Sequence, residues 1–444
     1  MLSQMNIAEK LDSFFGVRER GSSIRTEVRA GIITFIAMSY ILVVNPTMLT
    51  DAGMDWNAVF TATVISAATA TLIMALYAKY PIAQAPGMGI NAFFTYTVVI
   101  VLGYTWQQAL AAVFMSGILF LLMSVGGLRK RILDAIPRDL RIAITAGIGC
   151  FIVFVGLQGS GIIVGNPSTL VMLGNLSDPK VMLAIFGIVF TVLLHLRKVN
   201  GSLLIGILAT AILGMVIGIV EIPTAIVNIP AVPYFGAFIE GLETVSWDLQ
   251  FAFVIISFLF VDFFDCAGTI LAIGERAELL DDNGNLRDGN KALASDAVGT
   301  VLGATIGVSP VTSYIESSTG IESGGRTGIM TVVVGLLFLL ALLFGPVLSV
   351  ISFECTVAAL ILVGATMLAE IGKIEWEDPA VALTALMTIL FMLFTYSITN
   401  GIGMGIIMYC LSMAATHRGK DVHPIIYIMA LVFIMYFAIM TTFY

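Results

Sequence analysis

Apolar stretches close to 20 residues long recur along the whole chain, each ending in a polar or glycine-rich turn. They fall near 30–49, 58–78, 88–103, 107–126, 140–157, 181–196 and 203–220. The series restarts near 251–273, 292–308, 311–325, 327–346, 354–370, 380–398 and 401–416, and a last stretch covers 423–443. A helix needs about 20 mostly apolar residues to cross a bilayer, so the pattern predicts an all-α polytopic membrane protein. Residues 221–249 interrupt the series with Pro223, Pro230, Pro233 and Tyr234-Phe235 and no basic residue. They read as an extracellular connection, in part an interfacial helix. Seven segments before it and seven or eight after it predict an internal duplication. Seven is odd, so the second copy enters from the opposite side, giving two inverted seven-segment repeats of about 14 segments, with 423–443 as the surplus. The divisions expected are 1–29 as an N-terminal segment, 30–222 and 250–416 as the repeats, 223–249 as the connection and 417–444 as a C-terminal apolar segment.

The third stretch of each half is broken by glycine and proline. In the first half the break is Pro81-Ile-Ala-Gln-Ala-Pro-Gly-Met-Gly-Ile-Asn91, and in the second it is Gly307-Val-Ser-Pro-Val-Thr-Ser-Tyr-Ile-Glu316-Ser-Ser-Thr-Gly320. Such breaks free backbone groups that protein, water or a ligand must satisfy inside a bilayer. Interrupted segments at matching places in two repeats point to the central site of a transporter. The half-helix after each break turns its positive N-terminal end toward mid-membrane.

Composition sharpens this. The chain is 59% hydrophobic and 11% charged, with a mean hydropathy of +1.01. Basic residues are absent between Arg29 and Lys79, Lys79 and Arg129, and Lys198 and Arg276; they collect at 10–29, 129–141, 197–198, 276–291 and 418–420. Basic loops stay inside, which places the N-terminus in the cytoplasm of a multi-pass cell-membrane protein. Residues 1–28 hold no apolar core of signal-peptide type. A net charge of −8, with no basic patch beyond short loops, excludes a nucleic-acid partner. Cys150, Cys266, Cys355 and Cys410 fall in apolar stretches and read as buried thiols, while His195, His417 and His423 stand singly at segment ends, so no metal site is expected. The run Asp281–Asp288 imitates a calcium loop, but Ala292 stands where the terminal glutamate is required. It reads as a solvated turn.

Four carboxylates lie in or beside the apolar stretches: Asp262, Asp265, Glu316 and Glu354. Each costs about 2.5–3.5 kcal/mol at the centre of a membrane helix on insertion scales, and acids kept at that cost usually mark a substrate or ion path. Asp262 and Asp265 are three apart and share a helix face. Burial disfavours a charged carboxylate, which makes either one a candidate proton carrier, although a structural hydrogen bond between helices is the plainer use. Glu316 sits where the second half-helix begins, as substrate ligand or as helix cap. Its counterpart in the first half is Asn91, which both donates and accepts, beside Gly87 and Gly89, where backbone can approach a ligand closely. Glu354 reads as an interfacial acid at a helix start. Phe93, Phe263 or Phe264 could stack on a planar ligand, but packing is the expected role for most of them.

Three motifs then carry a resemblance: Pro86-Gly-Met-Gly-Ile-Asn-Ala-Phe-Phe94, Val261-Asp-Phe-Phe-Asp-Cys-Ala-Gly-Thr269, and Thr312-Ser-Tyr-Ile-Glu-Ser-Ser-Thr-Gly320 with Gly324-Gly-Arg-Thr-Gly328. Together with Arg25-Thr-Glu-Val-Arg-Ala-Gly-Ile-Ile-Thr34 and Asn166-Pro-Ser-Thr-Leu170, they make nearly the whole chain resemble the AzgA-like branch of the nucleobase–cation symporters, permeases of hypoxanthine, guanine and adenine. The resemblance implies a core domain (about 30–126 and 250–346) and a gate domain (about 138–222 and 350–444), with short strands in segments 3 and 10. It implies a purine held between segments 3, 8 and 10 and carried by an elevator-like movement of core against gate. Asp262 and Glu316 would bind the purine, Gly89 and Asn91 would complete the pocket, and Asp265 would serve proton coupling or structure. A homodimer through the gate is compatible with it. Cys266 and Ser309-Pro310 depart from the family's hydroxyl-rich pattern.

No cofactor is expected beyond a coupling proton, since the chain shows no cage of carbonyl and hydroxyl ligands for sodium. An intramembrane aspartyl protease would need aspartates on separate helices, and here both share one, so no enzyme is expected. An anion exchanger would be disfavoured by an acid-lined centre. A xanthine- or uracil-type permease is the nearest rival, and Gly-Ile-Asn-Ala-Phe-Phe and Asp-Phe-Phe-Asp favour the hypoxanthine type over it.

Overall fold

A computed structural model describes residues 7–125, 135–277, 279 and 289–440. The calcium-like run 281–288, Arg129-Lys-Arg131 and the side chains of Phe264, Glu275 and Arg276 lie outside the described residues. Every described apolar stretch is helical or, in the two broken segments, part strand and part helix. Among the described residues eight helical spans are long and apolar enough to cross a membrane, and shorter apolar helices lie at 88–101, 202–216, 249–263, 379–394 and 424–438. The chain is a polytopic helical membrane protein.

Local chemistry sets the helix starts. Ser23 accepts from the Thr26 N–H at 3.2 Å and opens helix Ile24–Met38, six residues before the apolar stretch itself. Asp178 and Asp378 cap helices Pro179–Leu196 and Pro379–Phe394 by accepting from Lys180 N–H at 2.8 Å and Ala380 N–H at 2.9 Å. Each of these helices starts with proline, whose missing N–H and fixed φ suit the first helical position. The first span is two helices, Ile24–Met38 and Ile41–Asp51.

The helices pack in two groups. Helices 24–38, Trp56–Ile73 and Trp106–Val125 pack on Gly289–Ile306 and Gly328–Ala341, with Leu249–Arg276 against 106–125. Helices Arg138–Gly159, 179–196 and Ser202–Val216 pack with Phe353–Leu368, and 379–394 with both 138–159 and Ile398–Ala415. Helices 138–159 and 353–368 cross at Gly149 and Gly364: a Cβ on Gly149 would stand 2.6 Å from the Gly364 carbonyl oxygen, and one on Gly364 would stand 2.5 Å from that of Gly149. Small residues at such a crossing let two membrane helices touch backbone to backbone. The surplus segment is helix Pro424–Met440, packed on 398–415, with Phe433 against Phe260 and Tyr436 against Phe253.

Strands occur at both broken segments. Gln84–Pro86 pairs antiparallel with Val311–Ser313 in the register Gln84–Ser313, Ala85–Thr312 and Pro86–Val311. A second two-stranded sheet, the hairpin Ile163–Asn166 with Leu170–Leu173, was not expected from the sequence. Its turn is Asn166-Pro-Ser-Thr-Leu170, where the Asn166 side chain accepts from the Ser168 and Thr169 N–H groups and Leu170 takes a left-handed φ of 68°. The connection carries the expected short helix, Ala237–Thr244, with Phe238 stacked on Phe114 at 4.1 Å. Cys266, Cys355 and Cys410 are buried, whereas Cys150 is partly exposed.

Polar contacts tie the ends of the spans to one another. Arg20 donates to the carbonyls of Lys79 at 3.1 Å and Arg326 at 3.3 Å, Arg29 to that of Ser323 at 3.0 Å, and the Glu375 N–H to Asp139 at 3.1 Å. At the other ends of the same spans, Tyr96 donates to Asp51 at 2.9 Å and Lys180 lies 3.9 Å from Glu354.

Candidate functional site

The paired strands are the hub on which the intramembrane acids converge. Each rung of the ladder is tied to a different polar group. The first-rung partners Gln84 and Ser313 both donate to Asp296 Oδ1, at 3.0 and 2.7 Å. On the second rung, Thr312 donates to Asp265 at 3.3 Å. On the third, the Val311 carbonyl lies 3.2 Å from the Thr300 hydroxyl, which gives its proton to Asp262 Oδ2 at 2.8 Å. Gly87 extends the ladder by donating to the Pro310 carbonyl at 3.0 Å, and the Tyr314 N–H donates to the Ala83 carbonyl at 2.9 Å. Tyr314 then crosses back, its hydroxyl donating to the Pro86 carbonyl. A strand two or three residues long cannot bury its backbone groups in a membrane alone, and these cross-links satisfy them.

Asp262 is 1% exposed, and Phe258, one turn before it on the same face, carries Phe93 edge-on at 4.9 Å and Phe94 at 6.3 Å. The end of half-helix Met88–Ala92 is thereby laid across the aspartate face of helix 249–276. Phe93 and Phe263, the latter against Phe120 at 6.4 Å, are thus packing residues. Glu316 immediately precedes half-helix Ser317–Glu322 but makes no side-chain cap bond. Its carboxylate instead accepts from the Tyr40 hydroxyl at 2.6 Å. The cap reading therefore fails.

Asn91 is fully buried; its Oδ1 accepts from Ser309 at 2.6 Å, and its Nδ2 has no partner in the protein. A buried amide donor left open is costly, about 1–3 kcal/mol, unless something else completes it. The two glycines divide their duties. A Cβ on Gly87 would meet Thr312 Oγ1 at 2.8 Å and Asp265 Oδ2 at 3.3 Å, so Gly87 is the one beside the acids. Gly89 faces Ile148 of helix 138–159, 2.8 Å from a built Cβ, and so lines the contact between the two helix groups. Glu354 sits in the first turn of helix 353–368, beside Lys180, away from the strands.

Two buried acids escaped the sequence reading. Asp296 lies inside the stretch expected as a segment at 292–308, so the signal that singled out Asp262 was there as well. Glu27 is fully buried and accepts from the N–H groups of Arg326 at 2.8 Å, Thr327 at 3.2 Å and Met330 at 3.3 Å. It is a carboxylate docked on the N-terminal end of helix 328–341, where the helix dipole and open N–H groups favour an anion. That bond joins Arg25–Thr34 to Gly324–Gly328, two motifs far apart in sequence.

Comparison with known proteins gives these positions a family. The sequence profile of the Permease family (Xan_ur_permease) matches residues 25–404. The chain is 46% identical to the guanine/hypoxanthine permease PbuG of Bacillus subtilis over 438 residues, covering 96% of this chain and 99% of that one. It is 40% identical to the adenine permease AdeP of Escherichia coli over 425 residues, covering 96% and 95%. In three dimensions it is similar to the transmembrane domain of the cyanobacterial bicarbonate transporter BicA, with a TM-score of 0.60 at 13% identity over 88% of this chain and 97% of that one. It is also similar to the murine anion transporter Slc26a9, with a TM-score of 0.60 at 10% identity over 93% and 73%. At such identities these two likenesses concern the fold alone. With the profile spanning both broken segments and full-length permease relatives at 40–46% identity, the chain belongs to the Permease family and is a membrane transporter, not an enzyme.

Proposed function

We propose that the protein imports purine nucleobases by proton symport, with the base bound where the two broken segments meet helix 249–276. The observation that carries the reading is the gathering of Asp262, Glu316 and a half-satisfied Asn91 on one two-stranded hub. A purine is planar, with N–H donors and ring acceptors along its edge; two carboxylates accept from it and one amide donates to it. The names of the similar permeases agree with that chemistry. An anion would meet Asp262, Asp265, Asp296 and Glu316 here, so the fold shared with bicarbonate and anion transporters does not extend to the ligand.

Asp262, Glu316 and Asn91 are assigned to the base, Gly87 to the close approach beside it, and Asp265 to proton coupling, since it lies beside Gly87 and accepts from Thr312 on the second rung. The elevator movement would slide the helices around the strands past 138–159 and its neighbours, with Gly89 on the sliding surface. The same proposal has the N-terminus in the cytoplasm of the cell membrane and two copies joined through the gate helices. Labelled hypoxanthine uptake into proteoliposomes under an imposed pH gradient tests it. Uptake that needs the gradient and is blocked by guanine supports symport. Equal uptake without the gradient removes the proton, and no uptake of any purine removes the substrate.

A further inference from the structure

The open donor of Asn91 is fixed by a relay that runs away from the acids. Ser309 is fully buried, 2.6 Å from Asn91 Oδ1 and 3.4 Å from Asn45 Oδ1. The Asn45 amide nitrogen donates to Thr63 at 2.7 Å, and Thr63 gives its own proton to the Val59 carbonyl at 2.7 Å. A serine hydroxyl has a single proton. At 2.6 Å the contact with Asn91 is ordinary for O–H···O and short for N–H···O, while 3.4 Å to Asn45 is long for either. The Ser309 proton therefore goes to Asn91 Oδ1, and Asn91 Nδ2 is left as the end with hydrogens to give.

We infer that Ser309 is a positioning residue that sets base selectivity. By donating to Oδ1 it holds the amide in one orientation, with Nδ2 as its open end, so the site favours a purine with a carbonyl acceptor on its six-membered ring over one with an amino group there. The inference rests on the purine reading above. A 6-oxopurine completes the open N–H, whereas a 6-aminopurine sets donor against donor, and a buried polar group left unpaired is what gives hydrogen-bonding sites their discrimination. Nothing in the apolar packing of Phe93 or Phe258 would tell the two apart.

The test is uptake of labelled hypoxanthine and labelled adenine, each competed by hypoxanthine, guanine and adenine, in cells lacking their own nucleobase permeases. Wild type, Ser309→Ala, Ser309→Thr and Asn91→Asp are compared at matched membrane levels. Wild type is expected to prefer the oxopurines. Ser309→Ala frees the amide to turn over and is expected to lower the oxopurine-to-adenine affinity ratio about tenfold, the scale of one hydrogen bond. Ser309→Thr keeps the hydroxyl and should hold the wild-type ratio, while Asn91→Asp should lose oxopurine uptake. An unchanged ratio in Ser309→Ala, an equal loss for all bases, or an adenine preference in wild type would each overturn the relay while purine transport stands. A wild-type protein that reaches the membrane and takes up no purine would instead remove the purine reading, and the relay with it.

Discussion

The Tyr40 hydroxyl donates to Glu316 Oε1 at 2.6 Å, joining the break between the first two helices to the start of the second half-helix. Tyr40 is 1% exposed and its ring lies 6.5 Å from that of Tyr314, so the hydroxyl holds the Glu316 carboxylate from a packed position. Tyr40→Phe keeps the packing and removes the donor. Hydrogen bonds to charged groups are worth about 1.5–3 kcal/mol, so the half-saturation concentration for purine uptake is expected to rise by about tenfold or more, with normal amounts of protein in the membrane. Concentration-dependent uptake checks this.

Gly87 and Gly89 should respond differently to alanine. At Gly87 the new methyl meets Thr312 and Asp265, which are tied to the ladder, so Gly87→Ala is expected to abolish transport. At Gly89 it meets Ile148, a side chain on a helix of the other group. Gly89→Ala should slow the maximal rate more than it weakens affinity, and Ile148→Ala in the same chain should restore part of the rate. Rates and affinities from the same uptake curves separate the two.

Glu27 closes three backbone N–H groups at the head of helix 328–341. Glu27→Ala leaves them buried and open, and each such group costs about 1–3 kcal/mol. A fall of several degrees in the unfolding temperature of the purified protein is expected, larger than for Glu27→Gln, which retains one acceptor oxygen.

Asp378 caps helix 379–394 and pairs with Arg418 at the edge of the protein. The hydrogen bond from Arg418, helped by the Ala380 N–H, holds its carboxyl below the ordinary carboxylate range. A carboxyl whose folded-state pKa is lowered contributes stability above its unfolded pKa and loses it as pH falls through the folded value. The contribution should thus be flat from pH 8 to 5 and fade only in stronger acid. As an exposed pair it is small. Unfolding temperatures of wild type and Asp378→Asn should differ by a constant small amount over that range and converge in acid.

Much of the architecture was legible because lipid enforces it. Apolar length gave the helices, and glycine with proline gave both breaks, since no regular helix runs through them. Asp262 and Glu316 stood out because charge is rare in such stretches. What stayed hidden depends on pairing across sequence distance. Tyr40 is unremarkable until Glu316 is seen beside it, 276 residues on. Glu27 looked like one more charge in a polar segment, because the N–H groups it satisfies belong to residues 326–330. That Gly87 and not Gly89 lies beside the acids depends on which way each Cα faces around one turn of helix, and composition is silent on that. The 163–173 hairpin is two strands of four residues, too short to give a periodic signal.

In the proposed function Asp262 and Glu316 hold a purine at the strand hub. Equilibrium binding of hypoxanthine to the purified protein tests it most directly, with wild type beside Asp262→Asn and Glu316→Gln. Binding by wild type at a single site, weakened at least tenfold in each variant while the unfolding temperature stays near wild type, is the predicted result. Wild-type affinity in both variants would contradict it and place the base elsewhere.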